Sequence, residues 1–275
     1  MTMTIPPLDE LVQNYLAWLK NIKCAPYHTY RAYQIDLLQF LKYFLRIDIN
    51  NLPGKNDVEE YLGNIKNKYN YASYRRKITV LRNFTKYLIE SGINVPDPFI
   101  SISLPMPEVN YNLPVKYEEI LELIKNIPED EFLQIRDKLI FTLIAKCGLT
   151  IKQLLSLKVK DINLAANQII ISRNQISFLD DKLSKLTDKY FSYINARTTL
   201  SLEDYLIANH LKNSKIPLST RTINLVVDNI SKDLKFKSRL SPTILRRLFA
   251  KSLSERNLNK SAKELILGKK STLVS

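Results

Sequence analysis

Apolar side chains recur at intervals of three and four residues through the first third of the chain. This spacing places them on one face of an α-helix, with polar residues on the opposite face. Four such segments follow one another, over residues 11–19, 28–45, a stretch that begins after 56, and 73–90. Gly92 follows the last of them and is a typical residue for ending a helix. The pattern predicts a compact unit of four amphipathic helices.

The second half of the chain starts with the same periodicity and then changes to a β pattern. Residues 116–147 predict helices, and Thr150 is placed to cap a further short helix. The segments QIIIS and RNQISFL are typical of short strands, joined by a turn at Arg173 and Asn174. We therefore predict a mainly α protein in which the second domain also contains a small antiparallel β-sheet.

A proline-rich stretch separates the two halves. Proline interrupts helices and favours an extended chain. We predict a helical domain over residues 1–100, a linker over 101–114 and a second domain over 115–275. The prolines that mark the boundary are Pro96, Pro98, Pro105, Pro107 and Pro114.

Composition excludes several classes of function. Five glycines in 275 residues argue against a nucleotide-binding α/β fold, because phosphate-binding loops use several glycines. Two cysteines and two histidines offer little for a metal site, so we expect neither a metal nor a cofactor. We find no signal sequence and no apolar run of about 20 residues that would span a bilayer. The expectation is a cytoplasmic protein without a membrane partner.

Charge points to a polyanionic partner. The chain has 41 Lys and Arg against 27 Asp and Glu, a net charge of +14. Residues 226–275 hold 12 basic and 4 acidic side chains. Their surplus of eight positive charges is more than half of the net charge of the chain. Nucleic acid is the partner that such a balance favours. A solvated basic surface without a partner is the alternative.

Three motifs in the second domain resemble those of the tyrosine recombinases, the family of the phage integrases, Xer and Cre. CGLTIKQLLSLKVKDINL, from Cys147, resembles GLRxxELxxLxxxDI; SPTILRRLFAKSL, from Ser241, resembles PHxLRHTFAT; and LGK, from Leu267, resembles LGH. In the first domain, HTYRAYQIDLLQFLKYF and SYRRKITVLRNFTKYLIESGI resemble the family's core-binding helices. The resemblance implies a two-domain clamp around double-stranded DNA.

It also implies which residues contact that DNA. In the family the second and fourth helices lie along the DNA groove, and PLSTRTINLVVDNISKDL resembles a further groove-facing helix of the second domain. The alternatives are that the cations form the solvent-exposed face of amphipathic helices without contacting DNA and that Ser219 only caps its helix. The candidates are Arg31, Arg75, Arg76, Lys77, Arg82, Lys86, Ser219, Arg221 and Asn224.

The catalytic positions of the family are occupied by other residue types in this chain. The resemblance implies a tyrosine nucleophile near the C-terminus, but the last tyrosine is Tyr205, and the hairpin that holds the family's lysine has only Arg173. Thr150 and Thr243 stand where an arginine and a histidine are usual. We therefore expect no catalytic residues and no enzyme activity. The positions still expected to contact phosphates are Thr150, Lys152, Arg173, Thr243, Arg246, Arg247 and Lys269.

Arg246 matches the arginine of the family's HxxR box. It is expected to hold a backbone phosphate, and an ion pair with an acidic neighbour is the alternative. From the whole pattern we expect a catalytically inactive, site-specific DNA-binding protein, a transcriptional repressor or regulator of phage or mobile-element origin that is associated with the nucleoid. The alternatives are a divergent active recombinase, a recombination accessory factor, and a protein-interaction module without DNA binding. We expect a monomer in solution that self-associates on repeated half-sites.

Overall fold

A computed structural model describes residues 6–46, 52–93, 97–99, 102, 104, 113, 115–210, 216–256 and 258–268. The chain divides into two compact units, Met1–Asn110 and Tyr111–Ser275. Most of the stretch predicted as a linker lies outside the described residues, so the limits of that linker stay a prediction.

The described residues of the first unit form four helices: α1 (Leu8–Asn21), α2 (Tyr27–Leu45), α3 (Lys55–Lys66) and α4 (Tyr71–Glu90). Asn70 caps α4 by accepting a hydrogen bond from the amide of Ser73, 2.9 Å away. Gly92 follows α4 with a φ of 81°, which suits glycine. The apolar faces of the four helices meet in one core, with Tyr15 and Phe44 among its largest buried side chains.

The second unit is built around one buried helix. Its described helices are α5 (Tyr117–Asn126), α6 (Phe132–Cys147), α7 (Ile151–Ser156), α8 (Asp181–Asn195), α9 (Thr220–Asp233), α10 (Pro242–Glu255) and α11 (Lys260–Leu267). Ile140, Phe141 and Ile144 of α6 are fully buried. Helices α8, α9 and α10 pack around α6, and α11 packs on the sheet.

The sheet has three antiparallel strands in the order β1 (Ile162–Asn163), β2 (Gln168–Ser172) and β3 (Gln175–Phe178). Arg173 and Asn174 form the turn between β2 and β3, as the sequence predicts. The predicted fold class is confirmed: a mainly helical, two-domain protein with a small antiparallel sheet in the second domain.

Candidate nucleic-acid interface

Helix α9 presents a polar and cationic edge at its beginning. Arg221 and Asn224 are exposed on its first two turns. The side chain of Asn224 donates a hydrogen bond to the carbonyl of Thr220, 2.8 Å away. Ser219 is the N-cap, and its hydroxyl accepts from the amide of Thr222 at 3.1 Å. The capping role of Ser219 is therefore present in the structure, while Arg221 and Asn224 are accessible to a partner.

Helix α10 places three polar side chains on its exposed face. Thr243, Arg247 and Lys251 are exposed and lie four residues apart, which aligns them along one side of the helix. Ser241 caps the helix, and its hydroxyl accepts from the amide of Ile244. This row of one hydroxyl and two cations suits a polyanion that runs along the helix.

Arg246 points into the protein and is half-buried. Its Nη1 donates to the carbonyl oxygen of Gly148, and its Nη2 donates to the carbonyl oxygen of Leu267 at 2.9 Å. Burial lowers the pKa of Arg246, since the charged guanidinium loses hydration. The guanidinium therefore joins the end of α6 to the end of α11. The phosphate contact that the sequence led us to expect stays a prediction.

Thr150 begins a chain of neutral hydrogen bonds across three elements. It caps α7, and the Oε1 of Gln153 accepts from the Thr150 amide at 2.9 Å. The Nε2 of Gln153 donates to the Oε1 of Gln175 on β3, at 2.7 Å. The Nε2 of Gln175 in turn donates to the carbonyl of Ile266 in α11, at 2.9 Å. These four residues form a chain of hydrogen bonds that connects α7, β3 and α11.

Sequence reasoning missed both glutamines. Thr150 and Gln153 form the sequence pattern of a capping box, and this pattern was a signal for Gln153. No sequence signal pairs Gln175 with Gln153, because 22 residues separate them. Lys152 of α7 and Arg173 of the hairpin are exposed, and Lys269 lies outside the described residues.

In the first unit, Lys77 is not accessible to DNA. Its side chain is 2% exposed, and its Nζ lies 2.7 Å from Oδ1 of Asp36, which is itself 1% exposed. The ammonium also lies over the ring of Tyr69, 4.4 Å from its centroid. The expectation that Lys77 contacts DNA is therefore corrected: this cation neutralises a buried carboxylate.

The same carboxylate orients Arg76. The Nε and Nη2 of Arg76 donate to the two oxygens of Asp36 at 2.8 and 3.1 Å. This hydrogen bonding raises the pKa of Arg76. The side chain is 47% exposed, so its outer edge still reaches solvent. Arg75 is half-buried and donates to the hydroxyl of Tyr71 at 3.1 Å.

Arg82 also has an internal role. Its Nη2 donates to the carbonyls of Phe99 and Ile102, so the guanidinium holds the segment that follows α4. Lys86 is 73% exposed and lies 3.6 Å from Glu90. Arg31 is exposed on α2 and donates to the side chain of Gln34 at 2.8 Å. Arg31, Arg76 and Lys86 are thus the exposed candidates of the first unit, whereas Arg75 and Arg82 are half-buried.

Within the part of the chain that the structure describes, no group of three or more His, Cys, Asp and Glu side chains is placed to hold a metal ion. None of the helices in that same part has both the length and the apolar character that crossing a membrane requires.

Comparison with protein families gives two matches. Residues 115–272 match the family described as "Phage integrase family". Residues 12–92 match the "Phage integrase, N-terminal SAM-like domain". Together the two matches cover most of both units.

Curated relatives match nearly the whole chain. A "Tyrosine recombinase" of Pseudothermotoga lettingae is 28% identical over 273 residues, covering 95% of this chain and 90% of that protein. A "Tyrosine recombinase XerC" of Staphylococcus aureus is 26% identical over 269 residues, covering 95% of this chain and 88% of that protein.

Solved structures share the fold. The Tn1549 transposon integrase in complex with transposon right end DNA has a TM-score of 0.71 at 14% identity, covering 96% of this chain and 92% of that one. The XerH site-specific recombinase bound to a palindromic difH substrate has a TM-score of 0.70 at 19% identity, covering 92% of this chain and 76% of that one.

These comparisons contradict one expectation. From the substituted catalytic positions we expected a protein that is not an enzyme. The relatives that align along 95% of the chain carry the name of an enzyme, tyrosine recombinase. The prediction that this chain is not an enzyme is therefore wrong, since the family it matches is an enzyme family.

Proposed function

The chain belongs to the phage integrase family, and from that premise we propose that it binds duplex DNA at a specific sequence and acts there in site-specific recombination. The observation that carries this proposal is the exposed polar face of α9 and α10 in a chain with a net charge of +14. The solved structures of the same fold include one in complex with transposon right end DNA and one bound to a palindromic difH substrate.

The two helices suit different parts of a duplex. Arg221 and Asn224 have the side chains that pair with the major-groove edges of guanine and adenine. Thr243, Arg247 and Lys251 carry donors that suit phosphate oxygens, and contacts to phosphate carry no sequence information. We propose that α9 reads sequence and that α10 holds the backbone beside it.

Binding is tested by selecting sites from random duplexes and then measuring affinity by fluorescence anisotropy at several salt concentrations. We expect one preferred sequence and an affinity that falls steeply with salt, because each neutralised phosphate releases counterions. Arg247→Ala should weaken binding to all sequences alike and reduce the salt slope by about 1. The matched control is Lys185→Ala, which removes an exposed cation from α8. Equal effects of the two variants, or no preferred sequence, would reject the proposal.

Strand cleavage is tested with nicked suicide duplexes that carry the selected site. A covalent adduct between the protein and one strand would establish that this chain performs the cleavage itself. Comparing the rate at which the Arg246→Ala variant forms the adduct would then measure what the guanidinium contributes to cleavage. Binding without an adduct would support the role of an accessory subunit in recombination.

A second candidate function is regulation by occupancy. The hydrogen-bonded side chains of Thr150, Gln153 and Gln175 favour it. They are neutral, and Thr150 stands at the position where the family's GLR motif has a charged arginine. We propose that the bound protein also represses transcription when its site overlaps a promoter and that it pairs on repeated half-sites. A reporter with the selected site in its promoter tests repression, and light scattering with one and two half-sites tests pairing.

A further inference from the structure

One leucine lies in the exposed polar edge of α9. Leu225 is 48% exposed, whereas Val226 and Val227, which follow it, are buried in the core. The apolar face with which α9 packs is therefore complete without this side chain. Within α9, all of which the structure describes, Leu225 is the one apolar residue that is exposed. The other exposed residues of the helix are Thr220, Arg221, Asn224, Asn229, Lys232 and Asp233.

Leu225 is a neighbour of the arginine to which we assign base recognition. Arg221 precedes it by four residues, so the two side chains lie next to each other on the surface of the helix. The amide of Asn224 donates to the carbonyl of Thr220 at 2.8 Å, which turns this side chain toward the start of the helix. Leu225 is thus an exposed apolar group beside Arg221.

A leucine restricts which base edge can lie opposite it in a DNA groove. The major-groove edges of the bases carry hydrogen-bond donors and acceptors, and their apolar group is the C5-methyl of thymine. A donor or acceptor that an apolar side chain covers loses its water without gaining a hydrogen bond, which costs free energy. A methyl group, by contrast, gains from being covered. Leu225 therefore favours an edge with a methyl group over an edge without one.

We propose that Leu225 recognises the C5-methyl group of a pyrimidine in the major groove, so that one methyl group distinguishes a preferred site from others. This inference rests on the proposed DNA-binding function and adds a chemical class of base to it. Two bases carry the group at the same carbon, thymine and 5-methylcytosine. Their shared methyl group is what Leu225 contacts, and substituting each base in turn separates the two sources.

The spacing on α9 also predicts where this methyl group lies in the site. Four residues advance an α-helix by about 6 Å, and neighbouring base pairs are about 3.4 Å apart. Arg221 and Leu225 therefore reach bases that are about two steps apart when α9 lies along the groove. We expect the pyrimidine with the methyl group within about three steps of the base that Arg221 contacts.

The test measures the affinity of the full chain for the selected duplex while one methyl group at a time is removed or added. In one arm each thymine is replaced by deoxyuridine, which lacks only the methyl group. In the other arm each cytosine is replaced by 5-methylcytosine. We expect a position at which the methylated base binds about fourfold more tightly, the fold-change that corresponds to about 0.8 kcal/mol for one buried carbon group. The arm that shows this response identifies the base.

The response should depend on the leucine. Leu225→Ala should bind the methylated and the unmethylated duplex equally. Leu225→Met keeps an apolar side chain of similar volume and should retain the difference. Leu202→Ala is the matched control, because Leu202 is 66% exposed in the same unit but lies outside α9. This control should also retain the difference.

The inference is overturned if no position responds to a methyl group, if Leu225→Ala retains the response, or if Leu202→Ala also loses it. A response more than about three steps from the position that Arg221→Ala relaxes would contradict the arrangement on α9. A selected duplex without a methyl response would leave the proposed DNA binding intact and reject the role of Leu225 alone. If the selection yields no duplex, the proposed function fails, and this inference fails with it.

Discussion

The Nζ of Lys77 lies 2.7 Å from Oδ1 of Asp36, and both side chains are almost entirely removed from solvent. A buried charge of either sign is costly to leave unpaired, because the interior cannot replace its hydration. The pair connects α2 to α4 inside the first unit. Arg76 binds the same carboxylate from the solvent side. Asp36 therefore holds two neighbouring cations, of which Lys77 is buried and Arg76 is partly exposed.

Removing one partner of this pair should destabilise the first unit. Lys77→Ala leaves the carboxylate of Asp36 buried with half of its charge partners, and we expect the free energy of unfolding to fall by about 3–5 kcal/mol. Trp18 is the one tryptophan of the chain, so its fluorescence during denaturant unfolding reports on this unit. Lys86→Ala is the control, since this exposed side chain should change stability by no more than about 0.5 kcal/mol. Equal midpoints for the two variants would contradict the structural role of Lys77.

Two glycines should respond in opposite directions to alanine. Gly148→Ala places a Cβ 2.5 Å from Phe249 at a φ of 62°. We therefore expect the free energy of unfolding of the variant to fall by more than about 1 kcal/mol. Gly63 lies within α3, and no neighbouring atom comes within 4 Å of the position that a Cβ would take there. Gly63→Ala should therefore stabilise the protein by about 0.5–1 kcal/mol. Thermal unfolding followed by circular dichroism measures both. A neutral Gly148→Ala would show that the turn after α6 tolerates a side chain.

The two cysteines should differ in reactivity. Cys147 is fully buried, and burial raises the pKa of its thiol to about 12. The thiolate is the reactive form of cysteine. A thiol with that pKa is ionised at pH 8 in only about 1 molecule in 10,000, so it should react slowly. Cys24 is exposed. A disulfide reagent at pH 8 should therefore titrate one thiol rapidly in the native protein and the second after denaturation. Cys24→Ser should abolish the rapid phase, and two rapid thiols in the native protein would contradict the burial of Cys147.

Arg221 should determine sequence preference. If it contacts a base, Arg221→Ala should relax specificity at one position of the selected site, with a loss of about 1–3 kcal/mol for the preferred base. Repeating the selection from random duplexes with the variant measures this directly. Lys185→Ala removes an equal charge from α8 and should return the original sequence. If Arg221→Ala instead weakens all sequences alike, the side chain contacts phosphate and α9 does not read bases through it.

The prediction of elements succeeded where the signal is local. The periodicity of residues 73–90 and the break at Gly92 place α4 within two residues of its bounds, Tyr71–Glu90. The cap at Thr150 and the turn at Arg173 and Asn174 are confirmed for the same reason, since each depends on neighbours in the chain. The candidate site was predicted less well. Lys77 and Arg82 were selected for their charge, but their partners lie 41 and 20 residues away.

The sequence by itself determined the helices, the short sheet, the family and the basic character of the chain, because periodicity, caps and motifs are properties of residues close together along it. Only the tertiary structure decided which cations face solvent. It turned Lys77 inward to Asp36, left Arg76 half-exposed on the same carboxylate and directed Arg246 to the ends of α6 and α11. The physical reason is that a buried charge takes the partner that folding brings to it, and such partners are distant in sequence.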